Sequence, residues 1–477
     1  MLFNSIEFLI FFPIIVILYF SFPYRFRWIL LLVASYYFYM VLKVEYVFLI
    51  IISTMINYYA GIQMGKYETR SERKKFLILS LAANLGLLFG FKYFNFFNDS
   101  IKVTLDTLHI PYNIPSLKVL LLVGISFYTF KTLSYSIDIY RGKQKPEKHF
   151  GIFALYVSFF PQLIAGPIER SNRLLPQLNT NYDFDYQCTT DGLKLMLWGF
   201  FKKIVIADRL ALYVNLVYAQ PQNYSGIPLI IATYFFTIQI YCDFSGYSDI
   251  AIGIAQVMGY DTMLNFKQPY FSKSVAEFWR RWHISLSTWF RDYLYIPLGG
   301  NRVAKWRLYI NLMIVFVVSG LWHGANWTFA IWGFLHGFYL VLSLATTKLR
   351  QKIMGYIGLS QFPTIEKWVQ IFTTFHLVVF GWIFFRAESL SHAITVLQNM
   401  FIFQPPNFEG VERPQFIISI FVIIFLLLVE YFQIHKPLRK TISTYPIMAR
   451  WGIYYLTIMF ILAFGEFRSQ DFIYAQF

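Results

Sequence analysis

The sequence predicts an all-α polytopic membrane protein. Of its 477 residues, 57% are hydrophobic and only 14% charged, whereas a soluble domain carries about a quarter charged residues. Long apolar runs recur along the whole chain: Ile6 to Phe22, Phe76 to Phe91, Lys118 to Ser136, Ile227 to Ile240, Ile417 to Phe432 and Ile453 to Phe464. A hydrocarbon core takes roughly 20 residues of helix, so these runs and the apolar stretches between them predict about 11 transmembrane helices, with re-entrant and interfacial helices besides.

The first run begins almost at Met1. No basic segment precedes it and no small-residue cleavage pattern follows, so it reads as a first span and not as a removed signal peptide. Pro13 interrupts it, which membrane helices tolerate when neighbours satisfy the freed carbonyl. Basic residues collect in short loops: Lys66 to Lys75, Arg141 to His149, Asn301 to Arg307 and Lys348 to Lys352. Such loops mark the cytoplasmic side. They account for the net charge of +16 without a nucleic-acid partner, and the nearly neutral segment Asn95 to Leu117 falls between the first two, as alternating spans require. The 53 Phe, 35 Tyr and 12 Trp, including "FGFKYFNFF" at Phe89 to Phe97, fit lipid-facing packing and interfacial anchoring. Cys188 and Cys242 give neither a metal spacing nor a disulfide framework, so no metal and no bound cofactor is expected.

There is no internal repeat, low-complexity segment or Ser/Gly linker, and residues 1–477 read as one membrane-embedded domain. Its texture changes along the way. From Gly151 to about Phe385 the apolar runs are interrupted by Gly, Pro, His, Asp, Asn and Arg. Polar groups at membrane depth are costly unless they line a protein cavity, which places the function in this middle stretch.

Four segments there can carry chemistry. In "SFFPQLIAGPIERSNRLLPQL", Ser158 to Leu178, an apolar run stops at Ala-Gly-Pro and turns polar with Glu169, Arg170 and Arg173. It is either a segment dipping into the membrane or a plain connection. In "IQIYCDFSGYSDIAIGIAQVMGY", Ile238 to Tyr260, Asp243 and Asp249 stand with Ser245 inside an apolar run. A carboxylate in hydrocarbon costs about 2.5 to 3.5 kcal/mol on insertion scales. The two aspartates therefore either pair with an arginine of a neighbouring helix or face the reactants.

The third segment is "SKSVAEFWRRWHISLSTWFRDYLYIPLGGNR", Ser272 to Arg302. Ser274 and Glu277 form a capping box, so a helix is expected from Val275. Plotted at 100° per residue, Arg280, His283, Ser287 and Arg291 share one face within about 80° and the tryptophans take the other, the pattern of an interfacial helix. The fourth is "SGLWHGANW", Ser319 to Trp327, within the 38 residues Leu308 to Ala345 that hold no Lys, Arg, Asp or Glu. Basic loops flank this run, so two spans leaving and returning to one side are expected, with His323 near their turn. Leu308 is about 22 Å of helix from His323, which keeps the histidine within membrane depth. Burial favours a neutral imidazole, the form that accepts a proton as general base. Ser319 or Asn326 could fix its tautomer. His336, between Gly333 and Gly337, is better read as structural.

Together these motifs resemble the membrane-bound O-acyltransferase family, in its alginate O-acetyltransferase-like branch. The resemblance rests on "FFPQLIAGPIER", "YCDFSGYSDIAIG", "NFKQPYFSKSVAEFWRRWHISLSTWFRDYLYIPLGGNR" and "SGLWHGANWTFAIWGFLHG", in the family's order over Phe159 to Gly337, and on the opening "MLFNSIEFLIFFP". It implies helices around a central tunnel and His323 as the histidine the family shares, with His283 at a second histidine position. It also implies a multi-pass protein of the bacterial inner membrane that moves acetyl groups to an exported polysaccharide, helped by an extracytoplasmic partner of the SGNH-hydrolase type. Acetyl-CoA is then the expected donor, an acyl carrier protein the alternative. Arg280, Arg291 and Arg302 suit its phosphates. Asp243, Ser245, Asp249 and Trp322 are expected to contact donor or substrate, and Asn326 to stabilise the oxyanion. Two other readings compete: D-alanyl transfer towards teichoic acids, and a transporter, since broken helices with intramembrane Asp and His also describe transporters.

Overall fold

The computed structural model describes residues 1–117, 123–402, 404–405, 408, 410, 412–434, 436, 438–467 and 472–475, and among these every regular element is a helix. Eight helices are long and apolar enough to cross a membrane: Glu45–Gly65, Arg70–Thr107, Ile227–Val257, Lys305–His323, Trp327–Ala345, Pro363–Arg386, Arg413–Gln433 and Ile447–Phe464. Among the described residues these eight fall short of the expected count of about 11, and other apolar runs make shorter helices. Ile6–Ser21, Tyr24–Met40 and Ile125–Tyr140 have 16, 17 and 16 residues, about 24 to 26 Å against a core of about 30 Å. The run from Lys118 to Ser136 begins in residues 118–122, which lie outside the described residues.

The chain forms two compact units. The first comprises Met1–Met196, Ile250–Met263 and Tyr474–Phe477; the second comprises Leu197–Asp249 and Leu264–Ile473.

In the first unit, Glu45–Gly65, Arg70–Leu88 and Ile125–Tyr140 are joined by buried amides and hydroxyls. Asn57 Oδ1 accepts from Ser80 Oγ at 2.6 Å and from Asn84 Nδ2 at 2.8 Å, and Asn84 Oδ1 accepts from Thr132 Oγ1 at 2.9 Å. Where surrounding apolar side chains give helices no preference for one another over lipid, such bonds fix their register. The motif around Gly166 is an interior segment and not a surface connection, since every residue from Gly151 to Ser171 is buried. The helix Phe150–Ser158 ends where Phe159 becomes extended, and a single turn, Phe160–Leu163, follows with Pro161 near its start. Buried Glu169 accepts the backbone N–H of Met263.

The second unit holds the helical hairpin Lys305–His323 and Trp327–Ala345. Its two helices approach through glycines. A Cβ on Gly320 would collide with the carbonyl oxygen of Phe329 and lie 3.2 Å from the Cα of Gly333, and one on Gly333 would meet the carbonyl oxygen of Phe316. Only small residues permit backbones this close. The expected pair of spans with a turn at "HGAN" is therefore what the chain forms.

Candidate active site

His323 is the last residue of Lys305–His323 and is 2% exposed. The turn that follows is tied by Asn326, the N-cap of the next helix. Its Oδ1 accepts from Thr328 N at 3.0 Å and its Nδ2 donates to the carbonyl of Glu388 at 2.8 Å. Both ends of this amide are thus engaged in holding the hairpin turn. Ser319 and Trp322 are buried on the same turn of helix.

His283 is placed by a break in the chain. A helix does start at Val275, with Ser274 Oγ accepting from Glu277 N at 3.2 Å, but it stops at Arg281. His283 has φ 42°, and a second short helix runs from Ile284 to Phe290. The continuous amphipathic face expected through Arg280, His283, Ser287 and Arg291 does not form. The left-handed residue turns His283 inward to full burial while Arg280 and Arg291 stay exposed. An L-residue takes this conformation only under constraint, and Asn265 supplies it. Its carbonyl accepts from Ile284 N at 2.9 Å, its Oδ1 accepts from Ser285 Oγ at 2.6 Å, and its Nδ2 donates to Ser248 Oγ at 3.0 Å.

The break and the hairpin turn bring the two histidines together, with ring centroids 6.3 Å apart. Trp322 lies 5.9 Å from His283 and 5.0 Å from His323. Phe244 meets His283 edge-on at 4.6 Å, and Trp332 and Phe385 meet His323 at 5.0 and 5.4 Å. Burial among these rings pushes the His283 imidazole well below its ordinary value, so it is neutral. His336 sits behind Trp332, its Nδ1 accepting from Trp279 Nε1 at 3.3 Å.

The aspartates of the second motif are ion-paired, and their partners are lysines, not the arginine the sequence suggested. Lys203 Nζ lies 2.7 Å from Asp208 Oδ1 and 2.6 Å from Asp243 Oδ1, and Asp243 Oδ2 also accepts from Ile473 N at 2.8 Å. Lys202 Nζ bridges Asp249 Oδ2 at 2.8 Å and Ser245 Oγ at 2.9 Å. Both lysines stand on the wide turn Phe201–Ala207, which inserts into an otherwise α-helical run. Arg291 pairs with Asp292 at 2.8 Å, and Arg302 is exposed just after the Gly299–Gly300 turn, whose φ values of 105° and 56° require glycine.

The membrane-bound O-acyltransferase family description matches residues 148–385, which contain both histidines and all of these aspartates. A probable alginate O-acetylase of Pseudomonas putida is 38% identical over 100% of both chains. The chain belongs to the membrane-bound O-acyltransferase family. A peptidoglycan O-acetyltransferase of Helicobacter pylori is 36% identical over 78% of this chain and 73% of its own. A teichoic acid D-alanyltransferase of Streptococcus thermophilus is 32% identical over 55% of this chain and 68% of its own.

This O-acyltransferase is an integral membrane protein whose His283, His323, Trp322, Asp243, Ser245 and Asp249 all lie in the second unit. Sequence reasoning missed Lys202, Lys203 and Asn265. The signal for the lysines was present, as two adjacent cations inside the apolar "WGFFKKIVIA". Nothing local marks Asn265, which acts across 18 residues on the backbone at His283.

Proposed function

We propose that this O-acyltransferase moves an acetyl group from cytoplasmic acetyl-CoA across the membrane to hydroxyls of an exported or cell-envelope polysaccharide, directly or through an extracytoplasmic SGNH-hydrolase-like partner. The observation carrying this reading is similarity along the full length of both chains to an alginate O-acetylase, joined by similarity to a peptidoglycan O-acetyltransferase. The bacterial relatives and the short basic loops support the inner membrane as its place.

In this reading His323 is the general base. Its imidazole takes the proton of the acceptor hydroxyl, the hydroxyl oxygen bonds to the acetyl carbonyl carbon, and the carbon–sulfur bond breaks. Coenzyme A leaves as thiolate and recovers the proton from the imidazolium. Neutral His283, 6.3 Å away, stands in the same cluster of aromatic rings and orients the reactants with Trp322. Asp243, Ser245 and Asp249 act through Lys202 and Lys203 as a buried frame beside Phe244. Exposed Arg280, Arg291 and Arg302 are available to the donor phosphates. Asn326 positions His323 through its bonds to Thr328 N and the Glu388 carbonyl, and the second N–H of its amide would serve as the oxyanion donor.

The test offers purified enzyme acetyl-CoA or a D-alanyl-charged carrier protein, with cell-envelope extract supplying acceptor and partner. Thiol release from acetyl-CoA with labelled acetyl in polysaccharide is expected. Turnover of the D-alanyl carrier alone would reassign the donor to the branch of the D-alanyltransferase relative, and solute flux into vesicles without thioester cleavage would favour a transporter.

A further inference from the structure

The first unit holds a cavity of about 140 Å³ lined by Tyr19, Arg25, Arg27, Trp28, His149 and Tyr260 among others. Among the described residues that line it none is acidic. Arg27 is held on one edge: its Nε donates to Phe22 O at 3.1 Å, its Nη1 donates to Tyr182 O at 2.5 Å and Asn181 Oδ1 at 3.3 Å, and its guanidinium lies 4.9 Å over the Tyr19 ring. Arg25 is exposed and lies over Phe26 at 4.7 Å. His149 packs edge-on against Trp28 at 4.8 Å, and its Nδ1 accepts from Ile152 N at 3.1 Å, so its Nε2 carries a proton to donate. Glu147 stands beside the cavity with both carboxylate oxygens engaged, Oε1 accepting from His149 N at 2.8 Å and Oε2 from Nδ2 of the lining Asn179 at 3.5 Å.

We infer that this pocket seats a phosphate group at the membrane surface. Two guanidinium groups and an imidazole N–H form a donor set for phosphate oxygens, and a guanidinium is the side chain whose fork matches them. The volume is about five times the share of one water in the liquid. That suits the five heavy atoms of a phosphate, while a whole cofactor needs about 300 Å³ or more. Arg25 and Arg27 follow the first helix, Ile6–Ser21, and sit beside Tyr24 and Trp28, residues of the membrane–water boundary. His149 closes the basic loop Arg141 to His149, which the charge pattern assigns to the cytoplasmic side. The phosphate of an anionic phospholipid headgroup and free phosphate share this chemistry.

The experiment measures native mass spectra of the full-length protein with phosphatidylglycerol or phosphatidylcholine, and separately its binding of inorganic phosphate. The variants are Arg25→Gln, Arg27→Lys, and His149→Asn, which keeps an acceptor for Ile152 N. Preferred retention of phosphatidylglycerol is expected, falling roughly fivefold in Arg25→Gln, the loss of about one interfacial cation. Binding of inorganic phosphate with the same loss, and no lipid preference, keeps the site and assigns it to free phosphate. Equal retention of both lipids and phosphate by wild type and all folded variants overturns the inference. If Arg27→Lys does not fold, Arg25→Gln decides, because that side chain is exposed and makes no hydrogen bond among the described residues.

Discussion

The imidazoles of His283 and His323 lie 6.3 Å apart although 40 residues separate them in the chain, one at a left-handed break and the other at the end of a helix. Each is delivered by a local backbone feature, and each feature is held by an asparagine: Asn265 for His283 and Asn326 for His323.

Asn326 separates a positioning role from an oxyanion role. Asn326→Ala removes the cap and is expected to lower stability by about 1 kcal/mol. Asn326→Asp keeps an oxygen for Thr328 N and loses the amide donor to Glu388. Near-normal turnover by the folded aspartate variant is expected; a loss of about 10² to 10³ in kcat at unchanged thermal stability would identify the amide as an oxyanion donor.

Lys203 lies between Asp208 and Asp243, so removing its ammonium leaves two buried carboxylates without the cation that pairs them. Lys203→Met is expected to destabilise by about 3 to 5 kcal/mol, and an Asp243→Asn companion change to recover part of it. Thermal unfolding in detergent measures both. If the single variant unfolds at the wild-type temperature, the pair does not hold this part of the fold.

The Gly320–Gly333 crossing tolerates no side chain. Gly320→Ala places a methyl group against the Phe329 carbonyl, with an expected cost of about 1 to 3 kcal/mol from overpacking. Folded yield and melting temperature should both fall, and activity with them, because His323 ends the displaced helix.

Acid should destabilise the protein partly through His283. Its folded value lies well below the ordinary 6.5, so above that pH the ring is neutral in both states and the full stability is present. As pH falls below 6.5 the unfolded chain takes up a proton that the folded one does not, and stability is lost progressively towards the folded value. Melting temperatures across that range should fall less steeply for His283→Gln than for wild type; parallel slopes would show that His283 is not the group responsible.

Much of this site was legible in the sequence because its signals are local. The 38-residue stretch without charge located the hairpin and His323, and the Ser274–Glu277 spacing located a helix start. The helical plot failed at His283 because it assumes an unbroken 100° step, and the break is imposed by Asn265 and Ser248 from distant segments. The aspartates were recognisable as costly, but not their partners, since pairing between Lys203 and Asp243 is set by tertiary packing across 40 residues. Apolar composition does not report helix length, as the 16 residues of Ile6–Ser21 illustrate, so the number of spans was less legible than their presence.

The central claim is that His323 carries the transfer. The most direct measurement follows free coenzyme A thiol and labelled acetyl together, in purified wild type and His323→Ala matched for folding. A fall of about 10² or more in the variant is predicted, the contribution of a general base; full acetyl transfer by folded His323→Ala would contradict the account.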